Sequence, residues 1–330
     1  MTTQTQVTAG SGPVTLEAIR DAADGLLGVA ERTPLQPVPA LAALTGVPVF
    51  LKLESCQPTG AFKLRGAWTA VRRLPDDARR RGVITYSSGN HGQALAWAAR
   101  RLGVRAVVVM PETAPALKVA GVKKWGGEVV LAGTTSDQRR ARADDIVARE
   151  GLTMVPPFDH PDVIAGQGTV GLEIVEDLPE VVEVLVPVGG GGLLAGVTAA
   201  VMALRPQARV TAVEPEGAAA MGAALRAGEV VRLAETHSIA DGLMPVAVGR
   251  LPLSLVLGRV TAVTVSDPAI AEATVWLRDS CGVLAEPSGA ATTAALRSGA
   301  LRPRGPTVLV VSGGNVDPAY VAELAAGLKA

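Results

Sequence analysis

VLVPVGGGGLLAGVTAA, residues 184–200, carries an apolar run into four consecutive glycines and then into an uncharged stretch of helical composition. A strand that ends in a glycine turn and re-enters a helix is the repeating unit of parallel α/β sheets. Outward from it the same alternation continues. Strands are predicted over 49–53, 83–87, 106–110, 128–131, 182–188, 209–213 and 307–311. Helices are predicted over 92–102, 116–125, 136–149, 193–204, 268–280 and 288–298. The pattern predicts an α/β fold with a largely parallel sheet. The stretch from Gly82 to Pro157 reads as a compact unit of three strand–helix pairs closed by Pro156-Pro157. It is expected to form a small domain, 81–157, inserted in a large one built from 1–80 and 158–330.

Composition sets the class. At 330 residues, 48% hydrophobic and 19% charged, the chain is long enough for two cored domains and too apolar for disorder. Basic and acidic residues both number 31, so no charge surplus draws it to nucleic acid or to a membrane surface. Cys56 and Cys281 form no CxxC pair, which points to a reducing, cytoplasmic setting and away from a disulfide scaffold or zinc ribbon. The polar start MTTQTQVTAGSG lacks the order of a signal peptide. The uncharged run 184–204 is long enough to cross a bilayer, but Pro187 and the glycines interrupt it.

Ligands in open α/β sheets gather at the carboxyl ends of strands, and four such turns carry unusual chemistry. At Gly189–Gly192, backbone N–H groups can approach an anion closely at a helix N-terminus, which suits a phosphate. The same loop satisfies GxGxxG/A from Gly190 to Ala195, with Glu214 at the end of the next strand, so a nicotinamide-dependent dehydrogenase is a competing reading. In SCQPTGAFKLRGAW, residues 55–68, Lys63 opens a helix behind a Pro-Thr-Gly turn. Only six of the 31 basic residues are lysine, and a Schiff-base nucleophile is a role arginine cannot fill. The like charge of Arg65 and the helix dipole are expected to weaken the hold of Lys63 on its proton. In ITYSSGNHGQA, residues 84–94, Ser87, Ser88, Asn90 and His91 make a polar cradle for a carboxylate or a phenolic oxygen. In VLVVSGGNVD, residues 308–317, Ser312 offers a neutral hydroxyl that can bond a heterocyclic nitrogen or cap a helix.

In this order the lysine turn, SSGNHGQA, the tetraglycine loop and SGGNVD resemble the threonine/serine dehydratase and serine racemase group of fold-type-II pyridoxal phosphate enzymes. RTPLQPVPAL from Arg32, IAGQGTVGLEI and EPSGA from Glu286 extend the likeness over nearly the whole chain. The resemblance implies two open, twisted, mostly parallel sheets flanked by helices. It implies pyridoxal 5'-phosphate on Lys63, with Phe62 beside the ring, Asn90 on the phenolic oxygen and Ser312 on the pyridine nitrogen. Gly189, Gly190, Gly191 and Gly192 would hold the phosphate, and Glu286 would belong to the same cofactor shell. Ser87, Ser88, Asn90 and His91 fall on the loop expected to hold the substrate carboxylate, with Ser88 opposite Lys63 as a second acid–base group. The implied reaction is loss of water and ammonia from a small β-hydroxy amino acid of the L-threonine/L-serine type, giving a 2-oxo acid. A serine racemase and a 3-hydroxyaspartate dehydratase of the same fold are the alternatives, and a homodimer is the implied assembly.

Three positions are distinctive against that pattern. Ser88 stands where dedicated threonine dehydratases often have alanine. Arg139 matches an arginine that reaches the substrate in racemases and would suit a second carboxylate, yet it lies among Arg140 and Arg142 on a predicted helix, where a solvated face is the commoner role. Glu214 and the Ala218 carbonyl match a divalent-cation site of racemase-like members, but Ala220 stands at the aspartate position, so no metal is expected.

Overall fold

Ten strands among the described residues sort into two sheets by their place in the chain. The computed structural model describes residues 14–87 and 89–328. In chain order the strands are β1 (Leu35–Pro37), β2 (Val49–Leu53), β3 (Val83–Tyr86), β4 (Ala106–Met110), β5 (Glu128–Leu131), β6 (Thr153–Met154), β7 (Glu183–Pro187), β8 (Arg209–Pro215), β9 (Thr261–Val265) and β10 (Thr307–Val311). The larger sheet has the order β1-β2-β10-β7-β8-β9, with only β1 antiparallel. The smaller is parallel throughout, in the order β5-β4-β3-β6. The predicted α/β class with two mostly parallel sheets is what the chain adopts.

The central strands of the large sheet are apolar on both faces because helices cover both. Val184, Val186, Val308 and Val310 enter one core, while Leu185, Leu309, Val311 and Leu51 enter the other, the two-residue alternation of a pleated strand. The small sheet has its own packing, but the helix Lys63–Arg72 shares in it. Leu64, Ala67 and Trp68 pack with Val83, Leu95 and Trp97.

Two topological facts position the site. First, β10 lies between β2 and β7, so Ser312 comes to lie beside the lysine turn despite its distance in sequence. Second, the helix Pro161–Asp177 crosses its neighbours at glycines. A β-carbon on Gly66 would lie 2.6 Å from the Val163 carbonyl, and one on Gly196 would lie 2.5 Å from the Gly168 nitrogen. The run IAGQGTVGLEI is therefore a close-packing face.

Short strands escaped the sequence reading. β1 and β6 span three and two residues, too short to show a period, and β9 has an intermediate-to-exposed face that dilutes the apolar signal.

Candidate active site

The lysine turn is held by the turn that follows β10. Phe62 N donates to Ser312 O at 3.0 Å, Gly314 N donates to Gly60 O at 2.9 Å, and Ala61 forms a β-bridge with Gly313. Lys63 then opens its helix. The side chain is half-buried, with Nζ donating to Pro157 O at 2.7 Å and lying 5.0 Å from the centre of the Phe62 ring. No carboxylate pairs with it among the described residues. Burial lowers its pKa to about 8.

The expectation that Arg65 drives this shift is corrected. Arg65 is fully buried and turned toward Glu54 (Nε to Oε2, 2.8 Å) and Glu173 (Nη1 to Oε1, 2.6 Å). Two carboxylates neutralise its charge, leaving desolvation as the cause at Lys63. Lys52 completes the cluster, donating to Glu173 at 2.6 Å and to Thr33 O at 2.7 Å. The ion cluster ties the start of the lysine helix to β2 and to the helix Pro161–Asp177.

Asn90 opens the helix Asn90–Arg101. Its Nδ2 donates to Glu286 Oε1 at 2.6 Å, and its Oδ1 accepts from Asn315 Nδ2 at 2.9 Å. Glu286 occupies the position before the helix Pro287–Arg297 without capping it through its side chain, and is 4% exposed. Burial, reinforced by the charge of Asp241, raises its pKa to about 7 against the pull of Lys118 and the Asn90 bond. His91 is buried, with Nε2 3.0 Å from Val155 O. A carbonyl only accepts, so Nε2 carries the hydrogen and Nδ1, which has no partner, is an acceptor. Burial, and then the charge of Lys63, lower the His91 pKa to about 3, so the ring is neutral near pH 7. Ser87 Oγ accepts from Gly89 N at 3.3 Å and shapes the loop. Ser88 lies outside the described residues.

The tetraglycine loop leads from β7 into the helix Gly192–Leu204 with no side chain capping the helix start. Gly191 has φ +91°, a backbone state that a side chain would oppose. A β-carbon on Gly190 would lie 2.2 Å from the Phe158 ring. Phe158 follows Pro157, whose carbonyl holds Lys63, so lysine and glycine loop share one wall. Ser312, 4% exposed, stands at the end of β10.

Arg139 and Glu214 are engaged by local partners. Arg139 is buried at 8% exposure, not on a solvated face, and turns back on its own helix start, with Nη1 donating to Thr134 O and Nη2 to Ser136 Oγ. Glu214 accepts from Met221 N at 2.7 Å and Gly222 N at 2.8 Å. Both oxygens of that carboxylate thus cap the helix Ala220–Ala227, and burial raises its pKa to about 7. The acid that a dinucleotide reading needs is engaged elsewhere.

The sequence reading gave no site role to Pro157, Phe158 or Asn315, and missed the ion pair of Lys118 with Asp241, which joins the helix Ala116–Lys124 to the loop 239–249. Lys118 was legible in one sense, as one of six lysines in an arginine-rich chain. Its partner was not.

A half-buried amine with no acid beside it among the described residues, on one wall with a loop of uncapped amides, suits an enzyme that bonds the aldehyde of a phosphorylated cofactor, as the resemblance implies. Asn90 Nδ2 also keeps one hydrogen beyond its bond to Glu286, a donor for an aldehyde's ring oxygen, so the residues fit such a group. Comparison with known proteins agrees. The family described as "Pyridoxal-phosphate dependent enzyme" matches residues 26–313. The L-threonine ammonia-lyase of Thermotoga maritima is 41% identical over 92% of this chain and 76% of its own. The serine racemase of Oryza sativa is 37% identical, covering 92% of this chain and 91% of its own. The structure of maize serine racemase superposes with a TM-score of 0.89 at 34% identity, covering 96% of this chain and 98% of that one. The chain belongs to the pyridoxal-phosphate dependent enzymes of fold type II, in the group of threonine ammonia-lyases and serine racemases. Among the described residues no helix is long and apolar enough to cross a membrane.

Proposed function

We propose that the enzyme removes water and ammonia from a small β-hydroxy amino acid, with L-threonine and L-serine as its substrate class, and releases a 2-oxo acid. The observation that carries this is the state of Lys63. An amine lowered to about 8 by burial is about one-quarter neutral at pH 7.5, against well under one per cent for an ordinary lysine, so it is able to bond a carbonyl carbon and, once displaced, to take a proton from the substrate Cα. Pyridoxal phosphate, when bound, supplies a sink for the electrons left on Cα.

The other residues divide the remaining work. The amides of Gly189, Gly190, Gly191 and Gly192 would hold the phosphate, Phe62 would flank the cofactor, and Asn90, backed by Glu286, would donate to the phenolic oxygen. Ser312 would offer the ring nitrogen a neutral hydroxyl, so that nitrogen need not be protonated. Expulsion of the β-hydroxyl then competes well with return of the proton to Cα. Ser87, Ser88 and the backbone of Asn90 and His91 receive the substrate carboxylate. His91 acts there through its N–H backbone, since its free Nδ1 accepts. Arg139 lies on the same small domain, 81–157, and would reach a second carboxylate only by releasing Thr134 and Ser136.

Incubation with L-threonine, L-serine and 3-hydroxyaspartate, followed by assay of 2-oxo acids, tests the reading. Release from one of the first two is expected, and no release from any of them would refute it. A second reading, racemisation, is favoured by Ser88 and by relatives that are serine racemases. Chiral analysis of serine recovered from wild type and Ser88→Ala separates the two. D-serine formed by wild type and abolished in the variant, with oxo-acid release reduced far less, would establish it.

A further inference from the structure

We infer that Asn315 is a positioning residue that sets which way the Asn90 amide faces, so that an N–H of Asn90, and not its carbonyl, is offered to the phenolic oxygen of the cofactor. The inference rests on the reading that Asn90 contacts that oxygen.

The two ends of an asparagine amide are nearly equal in shape, and only their partners decide which end points where. Here the decision begins at a group that cannot be reversed. The Thr59 carbonyl only accepts, and the Asn315 atom 2.8 Å from it is Nδ2. The same nitrogen is 2.9 Å from Asn90 Oδ1. Its two hydrogens are thus assigned, one to each oxygen. Asn90 must then turn Oδ1 toward Asn315 and Nδ2 toward Glu286 Oε1, 2.6 Å away. One hydrogen on Asn90 Nδ2 is left for a ligand.

Glu286 alone would not fix this direction. A buried carboxyl raised to about 7 is protonated for part of the time near neutral pH, and a protonated carboxyl can donate to Oδ1 as readily as a carboxylate accepts from Nδ2. Asn315 has no titratable group, so it holds the direction whatever the state of Glu286. The fold makes room for it at Gly60, where a β-carbon would lie 2.2 Å from Asn315 Oδ1 and the φ of +72° disfavours any side chain. The bonds between the lysine turn and the turn after β10 keep Thr59 and Asn315 in register.

The test uses the holoenzyme with wild type, Asn315→Ala, Asn90→Ala and the double variant. The readouts are the pH midpoint of the cofactor's visible band, and kcat and KM with the substrate of highest turnover. A donor to the phenolic oxygen favours its ionised form, so losing that donor moves the midpoint upward. Each single variant is expected to raise it by about one pH unit and to lower kcat about tenfold with KM nearly unchanged, the scale of one hydrogen bond to a charged group. The double variant should match Asn90→Ala. A midpoint unmoved by Asn315→Ala, or shifts that add in the double variant, would overturn the inference while leaving the Asn90 assignment intact. A midpoint unmoved by Asn90→Ala removes that assignment and the inference with it. If Asn315→Ala does not fold, Asn315→Ser, whose shorter side chain cannot reach both Thr59 O and Asn90, takes its place, with the same shifts expected and the same results overturning the inference.

Discussion

Lys52 and Lys63 flank the segment that begins with Glu54, and Glu286 meets Asn90 near its far end, yet the molecule treats Lys52 and Glu54 in the opposite way to Lys63 and Glu286. Lys52 is fully buried against Glu173 and Thr33 O, and Glu54 receives Arg65 at both carboxylate oxygens. Among the described residues, the hydrogen-bond partner of Lys63 Nζ is the Pro157 carbonyl and that of the Glu286 carboxyl is the Asn90 amide. At Glu54 burial opposes the charge, but Arg65 and Lys52 outweigh it, and the carboxyl stays below its usual range. At Glu286 and Lys63 burial wins, moving them to about 7 and about 8. A buried charge met by its opposite becomes a fastening, whereas one left unmet changes protonation near neutral pH and is available for chemistry.

The contrast breaks most visibly by exchange of the lysines. Lys63→Ala is expected to lower kcat/KM by about 10³-fold or more, the scale of losing an acid–base group, and to abolish borohydride labelling at this position. Lys52→Met should keep the labelling and lose stability instead. Labelling that persists in Lys63→Ala would dissolve the distinction. Next in size, Arg65→Met leaves Glu54 and Glu173 with Lys52 alone and should cost about 3–5 kcal/mol in urea unfolding, since uncompensated charge stays buried. A loss below about 1 kcal/mol would show that the cluster fastens nothing.

Two pH experiments sharpen the comparison. Cofactor attachment needs the neutral amine, so in cofactor-free protein its rate should climb about tenfold per pH unit and level off near pH 8. A climb continuing to about pH 10, the ordinary lysine range, would mean that burial does not act on Lys63. The smallest effect belongs to Glu286. Its pKa is raised in the fold, so it contributes stability at low pH that is lost as pH rises from about 4.5 to about 7. Thermal unfolding of cofactor-free Glu286→Gln should therefore lack that decline, a difference of roughly 1–3 kcal/mol across the window. Parallel curves for variant and wild type would place the carboxyl in its ordinary range.

Much of the molecule was legible in the sequence because it is local. The strands 49–53, 106–110, 128–131 and 307–311 were found at their bounds, since each is a short apolar run between turn residues. The tetraglycine loop stood out because four consecutive glycines exceed what a turn requires, whereas Lys63 and Ser312 drew their expected roles from the family resemblance. Arg65 misled for the converse reason. Its nearness to Lys63 in sequence suggested a like charge acting on the amine, and only the fold revealed the two carboxylates that quench it. Arg139 misled likewise, with charged neighbours in sequence and a buried side chain in space.

By itself the sequence determined most of the succession of strands and helices and the four polar turns at strand ends, because backbone propensity and turn chemistry act over a few residues. The tertiary structure decided which of those turns meet, by placing β10 between β2 and β7, and which buried charges find partners. Glu173 to Arg65, Asn315 to Asn90 and Glu286 to Asn90 are contacts between distant segments. The strength of a charge in a protein interior depends on what surrounds it in space, and chain order does not carry that information.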